Sequence, residues 1–469
     1  MTTIQSGESF RDSLATIDKR GRRIWVYPAK PQGRFHTARS IVAVFLLAFL
    51  FGAPFIKING NPFLLFDVIH RRFFLFGQIF WPQDMYLFVL GTISLVVFIV
   101  LFTTAFGRLF CGWVCPQTVF MEMVFRKIEF LIEGTGARQR ELDHAPMSAT
   151  KYFKKTAKHT IFYALSFIVG NTFLAYFIGV EALFDIVTSP PTEHLAGFVT
   201  MVIFSLIFYG VFARFREQAC TLVCPYGRLQ SVLLDQNSIV IAYDFGRGEK
   251  RGAWPRGGRP EGQGDCIDCG ACVRVCPTGI DIRNGTQLEC VNCTACIDAC
   301  DKVMDRMKLP RGLIRYASFK QIAHKARMSF TPRMKMYTAV LALLVVATCT
   351  LLFLRTPVEA TILRTTGSMF EELADGTIRN IYSVKVTNKT GQAMSLDLSL
   401  VSPKGVIAVV GPPLNLPPQG QVQTVISVAV PKQNLFTSNS LAEIDVSSGG
   451  KIIQKVRTTF VGPEQLRDK

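Results

Sequence analysis

Eight cysteines between residues 266 and 300 form the densest group of metal ligands in the sequence. They make two copies of the spacing C-x2-C-x2-C-x3-C, over residues 266–276 and 290–300. This spacing lets one tight loop wrap three thiolates around an iron–sulfur cubane and send the fourth to a neighbouring cubane. The pattern therefore predicts two [4Fe–4S] clusters. We assign Cys266, Cys269, Cys272 and Cys300 to the first cluster, and Cys276, Cys290, Cys293 and Cys296 to the second.

Zinc knuckles and disulfides are the alternative readings of these cysteines. Zinc sites commonly use two C-x2-C pairs with a longer gap between them, and disulfides require an oxidising compartment. Pro277 follows the first set, as in bacterial ferredoxins, whereas Asp301 stands at the matching place after the second. The spacing favours the clusters over both alternatives.

A second constellation repeats the motif C-x-x-V-C-P. It occurs as Cys111–Pro116 and as Cys220–Pro225, so that Cys111, Cys115, Cys220 and Cys224 supply four more thiols. Positions i and i+4 share one face of a helical turn, and a proline suits the first turn of a new helix. A helix N-terminus lowers the pKa of a nearby thiol.

Soft thiolates of this kind select Cu(I), zinc or an iron–sulfur unit. Four sulfurs fit a third cluster, whereas two to four fit copper, and the sequence leaves both open. Met121 and Met123 could add thioether ligands, but interfacial packing explains them better. Buried structural cysteines are the remaining alternative, and the duplication of the motif argues against it.

Five apolar stretches must position these motifs. They cover residues 41–56, 86–106, 160–180, 195–213 and 337–354, close to the roughly 20 residues that a bilayer requires. Residues 41–116 and 160–225 each read as span, loop, span and C-x-x-V-C-P, which indicates a parallel internal repeat. The four thiols are therefore expected to meet at one membrane face.

The formal net charge of +18 could indicate a nucleic-acid partner, but the basic residues lie mostly beside the apolar spans. The segments 1–40, 107–158 and 214–336 are rich in Lys and Arg, whereas 181–194 has neither. By the positive-inside rule, the N-terminus, both C-x3-C-P motifs and the clusters are cytoplasmic, and five crossings place the C-terminus outside. About forty polar residues precede the first span, so no cleavable signal peptide is predicted.

Residues 377–461 contain six or seven short alternating strands punctuated by Gly, Pro and Asn, which predicts an immunoglobulin-like β-sandwich. The expected fold is a multidomain membrane protein with five transmembrane α-helices, a cytoplasmic ferredoxin-like domain with two [4Fe–4S] clusters and a C-terminal sandwich. The predicted segments are a basic tail (1–40), a four-helix membrane domain (41–225), the ferredoxin-like domain (226–336), a fifth helix (337–354) and a periplasmic domain (355–469).

The remaining candidates carry less chemistry. Cys349 lies alone in the fifth span and reads as a packing residue, and four histidines (144, 159, 194 and 324) have no partner at ligand spacing. No Walker loop, dinucleotide fingerprint or hydrolase triad motif occurs. Any nicotinamide or flavin enzyme that feeds electrons to this chain is therefore a separate protein.

With these motifs in hand, the chain closely resembles the cytochrome c oxidase accessory protein family of the CcoG/FixG/RdxA type. The resemblance rests on FCGWVCPQT, ACTLVCPYGRLQ, YDFGRGEKRG, the cysteine block at 264–301 and GLIRY, and it covers essentially the whole chain. It implies a cupric reductase of the bacterial inner membrane that supplies Cu(I) for assembly of cbb3-type cytochrome c oxidase. It also implies copper at Cys111, Cys115, Cys220 and Cys224.

The partners implied are membrane lipid, the oxidase subunits or copper chaperones and transporters, and an electron donor that the sequence does not identify. No nucleic acid is expected, and a homodimer is compatible with the sequence. Two further functions stay open: a quinol- or ferredoxin-coupled electron relay without copper, and a non-enzymatic assembly scaffold.

Overall fold

The computed structural model describes residues 15–463 apart from 19, 69, 70, 256, 257, 328, 366–368 and 436. The chain forms two compact units. The first comprises the residues up to 56, 62–68 and 88–346, and the second comprises 57–61, 69–87 and the residues from 347 onwards. The first fourteen residues of the predicted basic tail and residues 464–469 of the predicted periplasmic domain lie outside the described residues.

The helices are α1 (Arg34–Gly52), α2 (Met85–Phe106), α3 (Leu109–Trp113), α4 (Pro116–Thr118), α5 (Arg126–Ile132), α6 (Gly136–His144), α7 (Ala149–Ile178), α8 (Val180–Thr188), α9 (Leu195–Gly210), α10 (Pro225–Leu233), α11 (Phe245–Gly248), α12 (Ala271–Arg274), α13 (Ala295–Arg306), α14 (Phe319–Ala323) and α15 (Pro332–Phe353). Three π-helical turns, Val119–Phe125, Val211–Phe215 and Ala219–Val223, interrupt this series around the C-x3-C-P motifs.

Five helical segments within the described residues are long and apolar enough to cross a membrane, which confirms the predicted number. They are Arg34–Phe55, Pro82–Phe106, Ala149–Ile178, Leu195–Phe215 and Pro332–Phe353. Most of their windows are poorly buried within the protein, as expected of surfaces that face lipid.

Three of the spans begin well before the apolar stretches indicate, the fifth at Pro332 rather than 337. The first starts at Arg34 rather than 41, because the Asp298 carboxylate accepts hydrogen bonds from the backbone N–H groups of Phe35 and His36. The third span starts at Ala149 rather than 160, where the Ser148 hydroxyl caps it by accepting from the Lys151 N–H. The predicted loop 181–194 also contains most of α8.

Two short strands, β6 (Val240–Tyr243) and β7 (Ile314–Ala317), pair antiparallel and flank the eight-cysteine segment of the first unit. The core beneath them contains Ile241, Met304, Leu313 and Ile314 together with several of the cysteines. The cysteine-bearing loops therefore pack against this apolar core.

The strands before β6 are short: β1 (Lys57–Ile58), β2 (Asn61–Pro62), β3 (Leu64–Asp67), β4 (Arg72–Leu75) and β5 (Gln78–Phe80). The second unit continues with β8 (Val358–Arg364), β9 (Glu371–Glu372), β10 (Thr377–Asn388), β11 (Met394–Ser395), β12 (Asp397–Ser402), β13 (Val406–Val409), β14 (Asn415–Leu416), β15 (Gln421–Pro431), β16 (Asn439–Ser448) and β17 (Lys451–Val461).

The long strands of the second unit form the predicted sandwich. One sheet has the order β13-β15-β10-β8, with β9 beside β10, and the other has β12-β16-β17. Alternate residues of β10, including Tyr382, Val384 and Val386, point into a core shared with β15, β16 and β17. The Tyr382 hydroxyl donates to the Thr459 carbonyl and so joins the two sheets inside this core.

A buried carboxylate also stabilises the second unit. Asp84 is only 1% exposed, and its oxygens lie 2.6 Å from both the Arg355 guanidinium and the Lys389 ammonium. Replacing Asp84 with Ala leaves the buried Lys389 and the partly buried Arg355 without this partner, so we expect the unit to lose about 3–5 kcal/mol of stability.

Urea-dependent protease resistance of the sandwich in the detergent-solubilised protein measures this loss. Asp375→Ala serves as the control because its carboxylate is exposed and hydrogen-bonds to the backbone and side chain of Thr377 in the same turn, and it should behave as wild type. Equal urea midpoints for Asp84→Ala and wild type would mean that the buried ion pairs contribute nothing.

Candidate metal centre

The two cysteine loops have the same backbone form. The residues on either side of the second cysteine of each motif adopt left-handed φ angles, +54° and +63° for Asp268 and Gly270, and +53° and +66° for Asn292 and Thr294. Left-handed residues alternating with right-handed ones turn successive N–H groups inward, which makes a cavity that attracts anions. The helices α12 and α13 begin immediately after Gly270 and Thr294. Each loop is therefore shaped to surround a negatively charged group.

The eight thiols separate into the two predicted sets. Cys300 lies within electrostatic reach of Cys272, Cys266 and Cys269, and these four line one cavity that no other cysteine lines. Burial, followed by the three neighbouring thiols, raises the pKa of Cys300 to about 12.

The other set is as compact. Burial raises the pKa of Cys290 to about 12, and the nearby thiols Cys293 and Cys276 add to that rise. Burial raises the pKa of Cys296, and the thiols of Cys293, Cys290 and Cys276 add more to that rise than Cys272 of the first set does. The fourth cysteine of each motif therefore lies with the first three of the other motif.

Both sets fit a [4Fe–4S] cluster. Each offers four sulfur donors, which is the ligand set such clusters use. The cavity of the first set is otherwise bounded mainly by apolar groups such as Ile267, Val303, Leu313 and Ile314. High thiol pKa values in the metal-free site mean that cluster binding displaces protons from the cysteines.

Each C-x3-C-P pair straddles a helix break. Cys111 lies in α3 and Cys220 in a π-helical turn, whereas Cys115 and Cys224 are the N-cap residues of α4 and α10. The expectation that each pair shares one helical turn is therefore wrong. The prolines Pro116 and Pro225 do occupy the first turn of a new helix, because their missing N–H costs nothing there.

The four membrane thiols come together from both repeats. Cys220 lies within electrostatic reach of Cys115, Cys111 and Cys224, and its sulfur also has a hydrogen bond with the Thr118 side chain. No three His, Cys, Asp or Glu side chains within the described residues already surround a single metal position.

The expectation that a helix start lowers the thiol pKa is wrong for Cys115, and the pKa values of Cys111 and Cys220 are raised as well. Burial raises the pKa of Cys111 to about 11 and that of Cys220 to about 12. Burial also raises the pKa of Cys115, even though the N–H groups of Thr118 and Gln117 favour its thiolate. Loss of hydration outweighs the helix N-terminus, since these sulfurs lie largely away from water.

Gln230 is a site residue that the sequence analysis missed. Its side chain is fully buried, and its amide Nε2 donates to the Cys111 Sγ at 3.3 Å. Gln230 is the last residue of the stretch ACTLVCPYGRLQ, but its place there does not indicate a contact with Cys111. Its partner lies 119 residues away, so spacing alone could not assign the contact.

Buried ion pairs hold the segment that precedes the second C-x3-C-P motif. The Glu129 carboxylate in α5 accepts a hydrogen bond from Arg216, which lies four residues before Cys220, and Lys158 contributes a third charge. Burial alone would raise the pKa of Glu129, but Arg216, Lys158 and Arg126 together lower it. This network fixes the chain that enters the motif.

The other candidates have ordinary surroundings. Met121 packs with Phe120 and Phe125, and Met123 packs with Ala43, which agrees with a packing role for both. Cys349 is exposed on α15. The rings of His144 and His159 have hydrogen bonds with the Arg140 carbonyl and the Tyr209 hydroxyl.

Three protein-family models match the chain. Residues 215–319 match a 4Fe-4S dicluster domain, residues 88–133 a 4Fe-4S binding domain, and residues 348–463 the "IG-like fold at C-terminal of FixG". The five spans, the iron–sulfur domain and the immunoglobulin-like sandwich predicted from the sequence are thereby confirmed.

Three curated bacterial proteins are similar over most of their length. Protein RdxA of Cereibacter sphaeroides is 36% identical over 81% of this chain and 83% of its own. Protein RdxB of the same organism is 35% identical over 80% and 82%. Nitrogen fixation protein FixG of Rhizobium meliloti is 33% identical over 81% and 79%.

Proposed function

This chain belongs to the FixG/RdxA family of iron–sulfur electron-transfer proteins, and from that premise we propose that it reduces Cu(II) to Cu(I). The copper binds at Cys111, Cys115, Cys220 and Cys224, and the Cu(I) serves assembly of a cbb3-type cytochrome c oxidase. One observation carries the proposal: four partly buried thiols from both repeats lie within electrostatic reach of one another beside an iron–sulfur domain.

The sulfur ligands favour Cu(I), the product, over Cu(II), the substrate. Thiolates are soft ligands and stabilise Cu(I) relative to Cu(II), so binding at these sulfurs makes the bound ion easier to reduce. The reaction is Cu(II) plus one electron giving Cu(I), with no bond to carbon formed or broken. When bound, the [4Fe–4S] clusters supply single electrons.

The chain's own residues prepare the copper site. The Gln230 amide can stabilise a thiolate at Cys111, and the Thr118 side chain can do the same at Cys220. Because the pKa of Cys111, Cys115 and Cys220 is raised, copper binding releases protons from these thiols.

We place the protein in the bacterial inner membrane with the metal sites on the cytoplasmic side and the sandwich in the periplasm. The distribution of Lys and Arg between the spans supports this orientation. The sandwich is then free to meet oxidase subunits or copper chaperones and transporters outside, while an electron donor reaches the clusters from inside.

The test is a stoichiometric reduction. The anaerobic protein is reduced with dithionite, freed of excess reductant and mixed with Cu(II) and a chromogenic Cu(I) chelator. We expect about two Cu(I) per chain, one for each cluster electron. The same yield from a variant with all four membrane cysteines changed to Ala, but with full iron content, would overturn the proposal.

A second function has a specific observation in its favour. The 4Fe-4S binding domain model covers residues 88–133 and so includes Cys111 and Cys115. If these thiols and their partners hold a third cluster, the protein is an electron relay, for instance from quinol, and not a copper reductase. Oxidation of a quinol by the purified protein, with no Cu(I) formed, would favour this function.

A further inference from the structure

The turn that carries the first membrane motif packs directly on the loop of one cluster site. Gly112 lies so close to this loop that an added Cβ would come 2.3 Å from the Asn292 carbonyl oxygen and 2.7 Å from that of Val291. Both are backbone atoms and cannot move aside cheaply. Gly112 is therefore required by the approach of the Cys290–Cys293 loop.

Two buried arginines span the same contact. Arg39 of α1 is 5% exposed and donates to the Gly112 carbonyl at 2.9 Å and to the Cys293 carbonyl at 2.8 Å. Arg108 is 6% exposed and donates to the carbonyls of Leu288 and Gly227. Each side chain thus joins the Cys290–Cys293 loop region to a segment beside a C-x3-C-P motif.

A third link lies beside them. The Trp113 indole N–H donates to the Tyr316 hydroxyl at 3.0 Å, and that hydroxyl lies 3.4 Å from the Asn292 carbonyl. The second cluster site, formed by Cys276, Cys290, Cys293 and Cys296, is therefore the one whose loop touches the membrane motif.

The two arginines have no direct ion pair among the described residues. Neither Arg39 nor Arg108 has a carboxylate within salt-bridge distance among the described residues, yet both are almost fully buried. A buried guanidinium without an anion is costly. The electrostatic neighbours of Arg39 include the Cys293 thiol, and those of Arg108 include the thiols of Cys290 and Cys111. An anionic thiolate–metal group held by these sulfurs would place a negative charge beside both arginines.

We propose that Arg39 and Arg108 are positioning residues that hold the second cluster site against the membrane thiols and raise the reduction potential of its cluster. Each positive charge stabilises the reduced cluster, which is the more negative form, so removing it lowers the potential. The proposal rests on the proposed function only in taking Cys276, Cys290, Cys293 and Cys296 as cluster ligands; it does not require copper.

The experiment is an EPR-monitored redox titration of the full-length protein in detergent, with iron content measured in parallel. Arg39→Gln and Arg108→Gln should each shift the reduction equilibrium of one cluster about tenfold toward the oxidised form, equivalent to 59 mV for one electron. Arg39→Lys keeps the charge and should keep most of the wild-type potential.

Two control variants show which cluster a given arginine charge affects. Arg283 lies among the electrostatic neighbours of Cys272, so Arg283→Gln should affect only the other cluster. Arg311, which is exposed and paired with Asp305, should affect neither cluster when changed to Gln. Unchanged potentials in both Arg39→Gln and Arg108→Gln with full iron, or a shift confined to the cluster that Arg283 affects, would overturn the proposal.

If Arg39→Gln loses iron, two other variants test the proposal. It requires that Arg108→Gln lower the reduction potential of the second cluster and that Arg39→Lys keep its iron. Gly112→Ala tests the contact itself and should slow electron delivery to Cu(II) without changing either cluster's ligands. Gly91→Ala is the matched control, since an added Cβ at Gly91 meets nothing within 4 Å. Failure of copper reduction in wild type, with the potential shifts present, would reject the proposed function alone.

Discussion

Changing both Cys111 and Cys115 to Ala is expected to lower Cu(II) reduction by more than about 100-fold, beyond the usual effect of losing a residue that only orients a ligand. The two thiols are half of a site that also contains Cys220 and Cys224. Iron should stay at about eight atoms per chain, four for each cluster. Bound copper and Cu(I) formation, measured with iron on the same sample, check the result.

The matched controls separate copper ligation from general damage. Cys349→Ala removes an exposed thiol outside every motif and should leave copper and iron unchanged. Gln230→Ala removes a hydrogen bond to the Cys111 sulfur and should cost about 10–100-fold in copper affinity. Copper reduction that survives in the double variant with intact clusters would disprove the site.

Changing Cys276 to Ala is expected to remove the cluster of the other motif, and Cys300→Ala should do the reverse. Cys276 lies with Cys290, Cys293 and Cys296, whereas Cys300 lies with the first three cysteines of its partner motif. Each variant should fall from about eight irons to about four, and the magnetic interaction between two reduced clusters should vanish from the EPR spectrum.

Pairing the variants gives the control. Cys276→Ala should retain the same EPR signal as Cys290→Ala, and Cys300→Ala the same signal as Cys266→Ala. If Cys276→Ala instead matches Cys266→Ala, each motif binds its own cluster and the crossed ligand assignment is wrong.

The membrane spans, the sandwich and the grouping of the cluster cysteines could be predicted from local patterns in the sequence. The spans follow from runs of apolar residues, and the sandwich follows from strand-length alternation such as that of β10, whose buried residues alternate as the sequence indicates. The grouping of Cys300 with Cys266, Cys269 and Cys272 also follows from spacing, because the motif itself encodes the crossing.

Contacts between distant segments could not be predicted in this way. Arg39 contacts Cys293 across 254 positions and Gln230 contacts Cys111 across 119, and the spacing of the cysteine motifs predicts neither contact. The early start of α1 depends on Asp298, far along the chain. The thiol pKa values depend on burial in the assembled protein, which a local argument from the helix N-terminus does not include.

We propose that eight cysteines hold iron and four hold copper. Metal and sulfide analysis of the protein purified without air, with EPR before and after reduction, tests it most directly. We expect about eight irons per chain and copper that disappears when Cys111 and Cys115 are changed to Ala. About twelve irons, with no copper retained, would contradict it.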